Sequence, residues 1–228
     1  MAPSRPNEIE HLTGRLSDLP RPPGILLLNG GGKFTPDGAV QHWPGNTFIC
    51  HVDRRSHAFE AMRELQENVK KSVFNRFFTF LPPPSFHMTV YQGLSPGMKP
   101  GSGWPEGIPE GLSPDDVNAL LLERLDRLAL STSYRIKVDG LFAGYSLTVS
   151  GADEAEERAL RQTRLSLRDA TGITFEDFDS YVFHITMAYL IDWLSDGTAR
   201  ELVDFSSEIS RRFLSEIGTI ELGPVEFC

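Results

Sequence analysis

The chain has 228 residues, 40% apolar and 23% charged, with a formal net charge of −9. That length suits one substantial core or two small lobes. The acidic balance argues against a protein that coats nucleic acid, because phosphate binding needs Lys and Arg, yet it leaves room for a small, locally positive pocket. Two cysteines, Cys50 and Cys228, make no disulfide framework. Cys50 sits in an apolar run and reads as a buried small hydrophobe. Prolines and charges interrupt the N-terminus, so no signal peptide is read there, and no segment approaches the length of a membrane span. A soluble cytoplasmic protein is the expectation.

In chain order, 1–32 read as an N-terminal extension and 33–228 as a single domain of two lobes. The first 24 residues, rich in Pro, Arg and Ser, are expected to wrap the surface or fray. An apolar run at 25–28 then meets Asn29-Gly30-Gly31-Gly32-Lys33, which resembles a phosphate-binding loop at first glance. No GKS or GKT ending and no helical pattern follow, so a flexible turn is the better reading, with Lys33 and Phe34 bordering a site. The stretch 46–52 predicts a strand, and 57–72 a helix with Phe59, Met62, Leu65 and Val69 on one face. A short apolar run at 77–81 is broken by Pro82-Pro83-Pro84, which remove ladder donors ahead of a strand at 86–90.

Gly and Pro dominate 93–112, where no period appears; a loop this long inside a domain reads as a lid or a hinge. Ser113 caps the next helix, with Pro114 at its first position and Asp115 and Asp116 in its first turn. Strands at 134–141 and 145–150 flank a turn at Ala143-Gly144. A helix follows from an Asp153 cap to Ala170, closed by Gly172. A strand over 181–190, a helix capped by Thr198 and ended by Gly218, and a strand over 219–227 complete the chain.

One pattern occurs twice. Phe86-His87-Met88-Thr89-Val90 returns as Phe183-His184-Ile185-Thr186-Met187. Each copy alternates with period two, which puts apolar residues on one strand face and a histidine and a threonine on the other. Strict alternation also assigns Tyr91 to the face of His87 and Thr89, and Tyr189 to the core. Two imidazoles at one pocket can divide general acid and general base between them. Two hydroxyls beside them can donate to the non-bridging oxygens of a phosphate, so that developing charge meets fixed donors. One His-x-Thr strand is uninformative by itself; the repeat makes it a site. His11 and His42 lie in loop-like sequence and His57 at a helix start, while His51, on the first strand, is within reach of the cleft, a sheet-edge or surface position being the preferred reading. There is no HExxH and no Cys/His ligand cluster, so no metal and no cofactor are expected.

At these residues the chain resembles the two-histidine (2H) phosphoesterase superfamily, the LigT-like and cyclic phosphodiesterase fold. The hallmark is a pair of H-x-[ST] motifs with apolar flanks, here His87-Met88-Thr89 and His184-Ile185-Thr186. The stretches 43–52 and 81–93 look more closely like an uncharacterised branch. The resemblance implies an α+β fold, bilobal and pseudo-twofold, with a mainly antiparallel sheet in each lobe, helices outside, and the site in the groove between. It implies His87 and His184 as the catalytic pair and Thr89 and Thr186 as phosphate-binding residues. Its substrate class is a 2′,3′-cyclic nucleotide or RNA end, or an ADP-ribose cyclic phosphate, hydrolysed without metal. The alternative is a binding module that holds a nucleotide or RNA end in the same cradle. Tyr91 is a further substrate-binding candidate, a structural tyrosine being the other reading; Asn46 and Lys33 are candidates from their place in the branch-like stretch. Neither a membrane nor an extended nucleic-acid surface is expected as a partner, and nothing in the sequence sets the oligomeric state.

Overall fold

The computed structural model describes residues 4–25, 31–99 and 103–228. Asn29 and Gly30 of the glycine turn at 29–33, residues 100–102 of the Gly/Pro stretch and residues 26–28 of the apolar run 25–28 lie outside the described residues. The elements are α1 (Glu8–Leu12), β1 (Thr47–His51), α2 (His57–Lys71), β2 (Phe78–Phe80), β3 (His87–Gln92), α3 (Pro114–Leu125), β4 (Tyr134–Phe142), β5 (Ser146–Gly151), α4 (Glu154–Thr171), β6 (His184–Thr186), β7 (Ala188–Leu190), α5 (Asp196–Ile217), β8 (Thr219–Leu222) and β9 (Glu226–Phe227).

Local chemistry sets the helix ends. The side chains of Ser56, Ser113 and Asp153 accept from first-turn N–H groups of α2, α3 and α4, each cap being worth about 1 kcal/mol. Gly172 closes α4 with φ 71°, a left-handed conformation that suits glycine. α5 begins a turn earlier than expected: Ser195 is its cap, accepting from Thr198 N at 3.2 Å. Gly197 falls in its first turn, where N–H groups lack intrahelical acceptors anyway. α1 was not foreseen, although Asn7 followed by Glu8 and Glu10 carries a cap signature. It packs on α5, and Leu12 is wholly buried, so the N-terminal segment is docked onto the core.

Seven strands form one antiparallel sheet in the order β8-β4-β5-β6-β3-β1-β9, and β2 and β7 form a small second sheet. The α+β, mainly antiparallel reading holds, but the two lobes share one sheet, joined where Met88 of β3 pairs with Ile185 of β6. The sheet curls into a half-barrel. At one end Val52, just past β1, bridges to Leu222 of β8, and Gly223 N donates to His51 O at 3.2 Å. The single strand expected over 219–227 is two: Gly223 and Pro224 interrupt it, and β8 and β9 pair at opposite edges of the sheet. Proline, without an N–H, ends the ladder there.

The strand expected over 181–190 also divides, at Met187, into β6 and β7. A matching event occurs in β3. Its register against β1 passes from Thr89, opposite Ile49, to Tyr91, opposite Phe48, leaving Val90 as an extra residue. Each irregularity sits one residue past a motif threonine, and each has a buried polar side chain on its carbonyl. Arg164 of α4 donates from Nη1 to Val90 O at 2.6 Å, and Gln66 of α2 donates from Nε2 to Met187 O at 2.8 Å. The helix preceding each motif thus holds the strand of the other. Arg164 also lies over the rings of Tyr181 at 4.2 Å and Phe178 at 4.9 Å. Removing it leaves a buried carbonyl unpaired and a hole among aromatic rings. Arg164→Ala should cost about 3 kcal/mol or more in urea unfolding, and Gln66→Leu about 1–2 kcal/mol, because Met187 O keeps its bond from Leu81 N.

Candidate active site

The Met88–Ile185 pair sets the geometry of both motifs. Continuing its antiparallel register puts His87 opposite Thr186 and Thr89 opposite His184. Each imidazole therefore stands beside the threonine of the other motif, about a local twofold through the central pair. Opposed side chains in such a ladder are about 5 Å apart and diagonal ones about 7–8 Å. That diagonal, between the two histidines, leaves room for a tetrahedral anion.

Both rings are oriented alike. His87 Nδ1 bonds Ser85 O at 2.7 Å, and His184 Nδ1 bonds Val182 O at 2.9 Å, in each case a carbonyl two residues back. A carbonyl only accepts, so each Nδ1 carries the proton and each Nε2 is left for the groove. Neutral, that Nε2 accepts a proton; charged, it donates one. Among the described residues neither threonine hydroxyl has a protein partner. The groove has a volume of about 690 Å³ and is lined by both His-Thr pairs with Lys33, Asn46, Gln92, Tyr181 and Tyr189 among its walls.

Burial pushes both histidines below the ordinary imidazole value. Lys33 and His51 reinforce the shift at His87, and Arg5 reinforces it at His184, which falls to about 4; the Nδ1 hydrogen bonds oppose it at both. Arg5, from the N-terminal segment, sits one strand beyond the second motif and lines a second cavity, not the groove. It donates to Thr148 and Ser146 of β5, the residues paired with His184 and Thr186. Among the described residues no three His, Cys, Asp or Glu side chains gather as a metal site, and no helix is long and apolar enough to cross a membrane.

The remaining candidates separate. Lys33 lines the groove with its Nζ 5.7 Å from the centre of the Tyr189 ring. Asn46 lines it too, but both ends of its amide are engaged: Oδ1 accepts from Leu94 N at 2.7 Å and Nδ2 donates to Asn118 Oδ1 at 2.7 Å. It anchors the start of the 93–112 loop to α3. A Cβ on Gly93 would lie 2.1 Å from that Oδ1, so glycine is needed for the approach. Tyr91 is a correction. The extra residue in β3 reverses the strand's phase, and Tyr91 is fully buried, its hydroxyl donating to Ile173 O at 2.5 Å. Gln92 takes the groove face instead. The break at Met187 does the same in the second copy, burying Met187 and Ala188 and turning Tyr189 to the groove. Arg5, Gln92, Tyr181 and Tyr189 were all missed. Arg5 carried no usable signal, whereas Gln92 and Tyr189 stand at equivalent places in the two copies and follow once the phase change is known. His51 pairs with His87 on the groove face, with ring centres 6.1 Å apart.

A curled antiparallel sheet flanked by helices, with one histidine and one threonine from each of two central strands, is the architecture of a two-histidine phosphoesterase fold. The family model described as 2H-phosphodiest, a domain of unknown function (DUF1868), matches residues 33–146, half of the chain, and the chain belongs to that family. His87 and Thr89 lie within the match; His184 and Thr186 lie beyond it. Among solved structures, a conserved protein of unknown function from Agrobacterium tumefaciens superposes with a TM-score of 0.86 at 23% identity, over 98% of this chain and 94% of that one. This likeness is one of fold. No curated protein matches the sequence.

The phase change separates Tyr91 from the site. Tyr91→Phe should lower stability by about 1 kcal/mol through the lost bond to Ile173 O. Turnover and KM of that variant should stay at wild-type values, while Tyr189→Ala should raise KM; steady-state kinetics beside thermal unfolding check both.

Proposed function

We propose that this protein is a phosphoesterase that opens a cyclic phosphodiester, of the 2′,3′-cyclic nucleotide, RNA-end or ADP-ribose cyclic phosphate type, by metal-independent two-histidine acid/base catalysis in the cytoplasm. Its family supplies the coarser assignment, a two-histidine phosphodiesterase. The observation that carries the reading is the crossed arrangement of His87, Thr186, Thr89 and His184, with both Nε2 atoms turned to one groove.

In this mechanism the phosphate sits between the motifs, and the Thr89 and Thr186 hydroxyls donate to its non-bridging oxygens. Neutral His184 takes a proton from water through Nε2 while the water oxygen attacks phosphorus. The P–O bond to the sugar oxygen breaks on the opposite side, and protonated His87 donates to that leaving oxygen through Nε2. The product is a phosphate monoester with a free hydroxyl. Arg5 supports the base role of His184, because a nearby positive charge disfavours imidazolium there. His87 gains its proton as the anionic substrate arrives, since a bound phosphate favours the charged ring. Lys33 and Tyr189 offer a cation and an aromatic face to the rest of the ligand.

His87→Ala and His184→Ala should each lower kcat by about 10²–10⁴-fold with folding intact, and EDTA should leave wild-type activity unchanged. Full turnover in either variant would rule out the mechanism. The productive form needs one neutral and one protonated imidazole. In the free enzyme that form is most populated between about 4 and the lowered pKa of His87. The maximum of kcat/KM should therefore lie on the acid side of pH 6.5. The kcat profile should move to higher pH, because bound phosphate raises the imidazole pKa values.

A further inference from the structure

The groove runs on past the two motifs in both directions, and its two ends differ in charge. β3 and β6 are antiparallel, so the end beyond Thr186 is also the end beyond His87; Lys33 and Tyr189 stand there. The opposite end, beyond Thr89, has Gln92 and its strand partner Thr47 on its floor. Trp43, ahead of β1, lines one side of it, and Phe175, Asp177 and Tyr181, ahead of β6, line the other. Among the described residues that line the groove, Lys33 is the sole Lys or Arg and Asp177 the sole Asp or Glu, and they stand at opposite ends.

The turn that carries Phe175 and Asp177 is fixed from beneath. Tyr91 donates to Ile173 O, and Arg164 donates from Nη2 to Phe178 O at 3.1 Å. The Tyr91 ring meets the rings of Phe175 and Phe178 edge-on, at 5.7 and 5.9 Å. Phe178 N and Ser180 N close the turn on Phe175 O and Asp177 O. The register change that buries Tyr91 also turns Gln92 to the groove, so the floor and the side of this end share one support. Yet the Gln92 amide and the Asp177 carboxylate have no hydrogen-bond or ion-pair partner among the described residues, whereas the amide of Asn46 is engaged at both ends. A held backbone with free polar groups among aromatic rings suits a flat ligand that brings its own donors. A carboxylate only accepts. Among the bases, guanine turns two adjacent donors outward, its ring N1–H and its 2-amino group, which match the two oxygens of one carboxylate. Adenine and cytosine set their amino group beside a ring nitrogen that is itself an acceptor. Asp177 also repels phosphate, which directs the anionic part of a nucleotide to the histidines and the base to this end.

We propose that the end of the groove beyond Thr89 is a base subsite that selects guanine, with Asp177 accepting from N1–H and the 2-amino group and Gln92 offering an N–H to the base carbonyl. The proposal rests on the phosphoester reading of the groove and adds the identity of the base to it, narrowing the substrate to a guanine-bearing nucleotide or RNA end. Asp177 acts here as a specificity residue, because it meets the part of the ligand that does not react.

The test varies the base alone, on the full chain. Hydrolysis is measured for the 2′,3′-cyclic phosphates of guanosine, inosine and adenosine, inosine being guanosine without its 2-amino group. Equilibrium binding of guanosine 3′-phosphate and inosine 3′-phosphate is measured by calorimetry. Wild type should favour guanosine over inosine about tenfold or more in both kcat/KM and affinity, as expected for one charge-assisted hydrogen bond. Asp177→Ala should bring both ratios close to one, and Asp177→Asn, which keeps one acceptor, should retain part of the preference. Asp177 is exposed, so both variants should unfold at the wild-type temperature. A ratio close to one in wild type overturns the proposal, and so does a guanosine preference that survives undiminished in Asp177→Ala. Trinucleotides ending in the guanosine or the inosine cyclic phosphate are run beside the mononucleotides; the series with the higher kcat/KM separates an RNA end from a free nucleotide, and the guanosine preference is required in that series. If no cyclic phosphate is hydrolysed, the phosphoester reading fails by itself, and the binding ratio still decides the role of Asp177.

Discussion

The carbonyls of Val90 and Met187, each one residue past a motif threonine, are held by a buried polar side chain from the helix that precedes the other motif. Much follows from this crossed arrangement. An unpaired carbonyl in the core would be costly. Arg164 and Gln66 make it acceptable for each strand to leave strict alternation just beyond its His-x-Thr. The strands stay paired at Met88 and Ile185, where the motifs meet, and depart from regular alternation beyond it, where a ligand needs room. α2 and α4 are thereby tied to the groove they support. Arg164 adds a stack of aromatic rings that includes Tyr181, itself a wall of the groove. The rigidity of the site and the shape of its opening have the same origin.

The electrostatics follow a similar division. The protein is acidic as a whole, with a formal charge of −9, yet Lys33 lines the groove near His87, and Arg5, outside the groove lining, is close enough to lower the pKa of His184. Both cations lower the affinity of their neighbouring imidazole for a proton. An anion entering the groove reverses that balance, because its charge favours imidazolium. In the proposed reaction the site would gain its acid form when the phosphate binds. Both cations lie toward the N-terminus, and Arg5 precedes the segment that the family model matches. The extension, read from the sequence as wrapping the surface or fraying, contributes Pro23 and Gly24 to the groove wall.

Most of the helices, the paired motifs and the α+β class could be read from the sequence because they rest on local chemistry. Ser56, Ser113, Asp153 and Gly172 act on their own neighbours, and the His-x-Thr alternation needs only one strand to be seen. The two tyrosines show where such reading ends. Alternation assigned Tyr91 to the groove and Tyr189 to the core; the structure exchanges them. A one-residue irregularity inverts every later side chain in a strand, and these two irregularities are supported from Gln66 and Arg164, far away in sequence. The same holds for the division of 219–227 into strands at opposite edges, which only the curl of the sheet explains. Arg5 is the extreme case: nothing near it in sequence announces Ser146 and Thr148 as its seat.

A twofold site poses a physical problem for a directional reaction. In the proposed hydrolysis water attacks one side of the phosphorus and the sugar oxygen leaves from the other, so two equivalent histidines would not settle which is base and which is acid. The structure breaks the symmetry in the strands outside the motifs. β5 brings two hydroxyls and Arg5 alongside His184, while β1 brings Ile49 and His51 alongside His87. In the proposed reaction the two motifs would share the chemistry, and the difference between base and acid would come from the unequal strands beside them.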